Sequence, residues 1–101
     1  MKITVNGKEY EAGKITAGMT RRALELNAEA LDAAKKAEEL EKSADAENAS
    51  ELLAFLGSNI EQKAALACDA FGGAFDSAAL LDSVTNAELN GIIQQIATGK
   101  N

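Results

Sequence analysis

Asn6-Gly7 joins two short runs that alternate apolar and polar side chains, and the remainder of this proline-free chain reads as helix. A two-residue Asn-Gly connection favours a type I′ turn, in which both central residues take positive φ. The turn also fixes the register of the strands it joins. Val5 then faces Lys8, Thr4 faces Glu9, Ile3 faces Tyr10 and Lys2 faces Glu11. One side of the hairpin carries Ile3, Val5, Tyr10 and the stem of Lys8. The other carries Thr4, Glu9 and an opposite-charge pair. A lone hairpin is marginal in water, so its apolar side needs a helical surface to rest on.

Gly13 ends the second strand, and Thr16 is suited to cap a helix running from about 16 to 42. The apolar positions Met19, Ala23, Leu26, Ala30, Ala33, Ala37 and Leu40 repeat at 4-3-4-3-4-3, the seam spacing of a helix packed lengthwise on another. Leu24 and Leu31 widen that seam on one side. Residues 43–48 are polar and read as a loop. A second helix from about 49 to 71 follows, with a main stripe of Leu53, Leu56, Ile60, Ala64, Ala67 and Phe71. Leu52, Phe55 and Leu66 form a second stripe beside it. Two long helices with a short loop make an antiparallel αα-hairpin. Gly72-Gly73 supplies a helix-stop signal. Asp76 opens a short helix to about 83, and Thr85-Asn86-Ala87-Glu88 is a capping box opening a last helix to about 97. The expected fold class is mostly α (α+β): an N-terminal β-hairpin at 2–12 packed on a long αα-hairpin, with two shorter C-terminal helices, in a single domain over residues 1–101.

Composition narrows the chemistry. The 101 residues contain no histidine, one cysteine and 21 alanines, with a net charge of −6. Without imidazole, the commonest general base and metal ligand is missing, and Cys68 has no such partner to activate it. Gly72-Gly73 lacks the spacing and the Lys-Ser/Thr of a phosphate loop. Asp76, Asp82 and Glu88 do not match a calcium loop. No enzyme, cofactor or metal site is therefore expected. The acidic balance disfavours nucleic acid, which requires clustered cations, and anionic membrane surfaces. No apolar run approaches the roughly 20 residues that span a bilayer. The first residues offer no signal-peptide core, and a single cysteine suits a reducing compartment. The expectation is a cytoplasmic protein.

Surface is what remains for function. The second helix carries more large side chains than one seam uses, so Leu52, Phe55 and Leu66 either face the last helices or form a strip for a partner helix. The same two readings apply to Phe75, Leu80 and Leu81, and these six are the candidate partner-binding residues.

Several segments together resemble a known family. Val5-Asn6-Gly7-Lys8-Glu9-Tyr10, then Thr20-Arg21-Arg22-Ala23-Leu24-Glu25-Leu26, then Ala70-Phe71-Gly72, Phe75-Asp76, Leu80-Leu81 and Thr85-Asn86-Ala87-Glu88-Leu89 are similar to the small tail assembly chaperones of long-tailed bacteriophages. The resemblance covers nearly the whole chain outside Lys36 to Ser50. It implies a non-catalytic late protein that binds the tape measure protein, keeps it soluble and extended, and hands it to major tail (tube) protein subunits. It also implies action in the host bacterial cytoplasm and absence from the finished virion. Self-association is left open. Two other classes stay in view: a small virion structural protein for tail completion or connection, and an acidic regulatory protein that binds a host partner.

Overall fold

A computed structural model describes residues 1–43 and 46–99, with side-chain surroundings for 1–39 and 49–99. Strand β1 (Lys2–Val5) pairs antiparallel with β2 (Lys8–Glu11) in the register the turn dictates: Lys2 with Glu11, Ile3 with Tyr10, Thr4 with Glu9 and Val5 with Lys8. Asn6 and Gly7 take φ of 52° and 79°, the two left-handed residues of a type I′ turn. The Lys2 ammonium reaches diagonally to Glu9, at 3.7 Å, and both side chains are exposed. On the opposite side Val5 is buried, and Ile3 and Tyr10 pack against the helical core.

Helix α1 (Ala17–Ser43) begins at a Thr16 cap, whose Oγ1 accepts from the Met19 N–H at 3.2 Å. Helix α2 (Ala46–Ala70) runs back alongside it. The expected loop at 43–48 is shorter than its polarity suggests. Ser43 ends α1 and Ala46 opens α2, while Ala44 and Asp45 lie outside the described residues. Alanine, glutamate and lysine are strong helix formers, and they carry both helices into the polar stretch.

At its other end α2 stops in a two-bond motif. The Gly73 N–H donates to Cys68 O and the Gly72 N–H to Asp69 O, with φ of 74° and 70° at the two glycines. Helix α3 (Ser77–Ser83) follows, its first turn held by Asp76 Oδ1, which accepts from the Ala79 N–H at 2.8 Å. Helix α4 (Asn86–Ala97) opens with both bonds of the Thr85/Glu88 capping box. These two helices close the core. Helix α3 packs on α2 and β1, and α4 lies against α1 and α2 together. The fully buried side chains Val5, Leu66, Leu80, Leu89, Ile93 and Ile96 come from the hairpin, α2, α3 and α4. Tyr10 meets Phe75 edge-on at 5.0 Å between ring centroids, and Phe75 meets Phe71 at 5.5 Å. The Asn6 N–H donates to Ser83 Oγ at 3.1 Å, tying the turn to the end of α3.

The core sits at one end of the αα-hairpin. At 1.5 Å per residue, α1 is about 40 Å long, close to the 45 Å longest dimension of the molecule. Helix α4 is less than half that length. The radius of gyration, 14.8 Å, exceeds the roughly 13 Å of a compact chain of this size. The excess is the far part of the αα-hairpin, which stands out from the core.

Candidate functional site

Two polar contacts orient α1 and α2. Asn59, buried, donates through Nδ2 to Leu26 O at 3.1 Å, and Arg22 pairs with Asp69 at 2.9 Å. Asn59 sits midway between Leu52 and Leu66, seven residues from each. That spacing places all three on one face of α2, the face toward α1. Leu66 is fully buried there and Leu52 half-buried.

Two further contacts place α4. The Thr20 hydroxyl donates to Ile96 O at 2.9 Å, and the Lys63 ammonium donates to Asn90 Oδ1 at 3.0 Å. Thr20 and Lys63 therefore mark the α4 side of their helices. From Thr20, the 4-3-4 positions on the same flank of α1 are Leu24, Asn27 and Leu31. From Lys63, the 3-4-3 positions running back along α2 are Ile60, Leu56 and Leu53. Both rows start beneath α4 and continue past its N-terminal end. Asn86 lies ten residues before Ile96, so at equal rise it stands about level with Ala30. Beyond that level the two rows form the walls of an uncovered groove. Leu31 and Leu53, at that end of the rows, are 61% and 70% exposed, and Leu24, alongside α4, is 55% exposed.

The six residues expected to bind a partner do not share one surface. Leu66 and Leu80 are fully buried, and the core, not a docking strip, is their place. Leu52, Phe75 and Leu81 are half-buried; Phe75 and Leu81 pack on the core. Phe55 is exposed at 43%, but it shares a flank with Gln62 and Asp69, each seven residues further on, away from α4. Conversely, Leu53, Leu24 and Leu31, expected in or beside the seam, are bare. Asn59 explains the exchange. It interrupts the Leu52–Leu66 row with an amide, so the unbroken row beginning at Leu53 looks like the seam. In the fold Asn59 is satisfied by a backbone carbonyl, and the interrupted row is the buried one. The heptad spacing of Leu24 and Leu31, off the α1 seam, was the available signal for the groove.

Lys63 is the other buried polar residue, and burial pushes its ammonium below the ordinary lysine value of 10.5. Cys68 is buried beside Ser77, with Sγ 3.9 Å from Oγ. Burial pushes its thiol up; the Ser77 hydroxyl works the other way, and the Asp69 and Asp76 carboxylates add to the rise. A thiol in that state is a core side chain rather than a nucleophile. An open cleft of about 600 Å³ lies between β1 and α4, with Lys2, Glu9, Glu88, Ile3 and Ile92 in its lining. Among the described residues, no group of three or more acidic or cysteine side chains could hold a metal ion, and no helix is long and apolar enough to cross a membrane.

A family model described as "phage tail chaperone protein" matches residues 1–100. The chain belongs to that family. No curated protein matches it, and neither does any solved structure. Phage tail proteins are the partners that membership of the tail chaperone family suggests. The family match spans the hairpin, both long helices and the two closing helices, so the tail chaperone family is matched along the core and the projecting αα-hairpin alike.

Proposed function

We propose that this tail chaperone covers apolar helical stretches of the tape measure protein, keeps it soluble and extended, and recruits tail tube subunits to it, acting without catalysis. It works in the host bacterial cytoplasm and is not retained in the mature virion. The observation that carries this reading is the bare apolar surface of a small acidic chain. Leu24, Leu31 and Leu53 are exposed on the αα-hairpin, outside the core. Single exposed leucines are ordinary on a monomer, but leucines in register on two adjacent helices form a surface suited to a partner helix. Each contact is small, so affinity comes from many copies along one long client and release stays easy.

The test is co-expression. A tape measure fragment that aggregates alone should become soluble when made with this chain, and purified virions should lack the chain by mass spectrometry. A fragment equally soluble without the chain would refute the proposal. Retention in virions would instead point to a tail completion or connector subunit. Copurification with a host protein, in the absence of phage proteins, would point to a regulatory binder.

A further inference from the structure

The groove walled by Leu24, Leu31, Leu53 and Leu56 has an occupant already in its near half. That occupant is α4, an amphipathic helix whose Leu89, Ile92, Ile93 and Ile96 are buried against α1 and α2. Past α4, the described part of the groove runs from about Ala30 to Glu39 on α1, about 14 Å. The 12 residues of α4 span about 18 Å by the same rise. That stretch has room for about nine residues of a second helix, with the same pair of helices as its floor.

Charge indicates what kind of helix. Residues 24–61 hold ten acidic and three basic side chains, a net charge of −7, whereas the whole chain carries −6. The negative charge of the molecule is therefore concentrated on the αα-hairpin that bears the groove, and the remainder is close to neutral. Among the described acids of this stretch, Asp32 is paired with Lys36 and Glu25 with Arg21, both on exposed side chains. A second copy of the chain would bring one acidic αα-hairpin against another, which like-charge repulsion opposes. A helix with an apolar stripe and a basic rim meets both features of the surface.

We propose that the open half of the groove binds a basic amphipathic helix of the client, laid beyond the N-terminal end of α4, with apolar side chains at i, i+3, i+4 and i+7 between Leu31 and Leu53 and with Lys or Arg at its edges. This rests on the chaperone reading above and names the client segment that would be bound. The binding mode is the helix-in-groove mode, with charge setting the rate and selectivity of encounter.

Synthetic helical peptides of about 14 residues test it. One carries leucine at the stated spacing with a lysine rim. A second has the same leucines with a glutamate rim, and a third is a scramble of the first. Binding to the full chain is read by fluorescence anisotropy at low and high salt. The lysine-rimmed peptide should bind at least about tenfold more tightly than the other two, and salt should weaken it. The Leu31→Ser/Leu53→Ser variant should lose about tenfold in affinity. Phe55→Ser, on the other flank, should stay within about twofold of the parent. Both variants alter exposed side chains, and circular dichroism checks that their helix content is unchanged. Equal binding of the lysine- and glutamate-rimmed peptides, equal binding of the scramble, or an unaffected double variant would overturn the proposal. Dimers in sedimentation that disappear in the double variant would overturn it in favour of self-association. If the parent chain solubilises the tape measure fragment while the double variant does so equally, the groove assignment fails and the chaperone reading stands. If the parent binds the lysine-rimmed peptide but does not solubilise the fragment, the reverse holds.

Discussion

Leu66→Ala and Leu53→Ala should have very different consequences, although the two leucines occupy the same helix and carry the same side chain. Leu66 is fully buried and Leu53 is 70% exposed. Truncation to alanine removes three carbons, worth about 2.4 kcal/mol of transfer free energy at ~0.8 kcal/mol each. At Leu66 all of that is lost. The residual cavity adds a further cost of about 24 cal/mol per Å³. The expected destabilisation is about 3–4 kcal/mol, a large share of the roughly 5–15 kcal/mol of a domain this size. At Leu53 only the covered 30% of the side chain counts, about 0.7 kcal/mol. The better helix propensity of alanine offsets part of it. Urea titrations followed by circular dichroism, fitted with a common slope, measure both. If Leu53→Ala costs as much as Leu66→Ala, the face of α2 assigned to α1 is wrong, and the groove along with it.

The turn and the buried lysine give two further tests. Gly7 has φ of 79° with nothing within 4 Å of a Cβ built there, so Gly7→Ala meets backbone strain alone and should cost about 1–2 kcal/mol. That corresponds to a fall in Tm of at least about 4 °C; an unchanged melt would mean that the hairpin is not part of the cooperative unit. For Lys63 the folded pKa lies below 10.5, so the unfolded chain holds the proton more tightly. Stability should rise with pH as it climbs from the folded pKa toward 10.5, and be insensitive to this group at lower pH. Lys63→Met removes the dependence, so the parent should gain stability relative to the variant as pH rises toward 10.5, and the difference between them should change with pH. Cys68, raised above 9.0, pulls the other way in both proteins and cancels from the difference. A difference that stays constant with pH would show that burial does not perturb this lysine.

Local interactions made much of the fold legible in the sequence. Asn6-Gly7 specifies a turn of fixed register, and all four strand pairs follow from it. Thr16, Asp76 and the Thr85/Glu88 pair satisfy free N–H groups within one turn, so each marks a helix start without reference to the rest of the fold. Gly72-Gly73 stops α2 because two consecutive left-handed residues suit glycine best. The membership of the tail chaperone family was also legible, through segments spread along the chain.

Which surfaces stay bare was decided only in three dimensions. Helix α2 has two apolar rows, and 3.6-residue periodicity gives the rows without saying which one meets α1. The row containing Asn59 carries an amide that needs a partner, and only the packed helices supply it, as the Leu26 carbonyl. Once α2 turns that row inward, Leu66 becomes core, and the Leu53 row lies under α4 at one end and in water at the other. Helix α4 is only 12 residues long, too short to cover both. The sequence by itself determined the elements and those ends that a cap or turn marks, since caps and turns act over a few residues; the junction of α1 and α2, which has no such mark, it set too wide. The tertiary structure alone decided the groove, because burial belongs to the packed arrangement of helices and not to the stripe of any one of them.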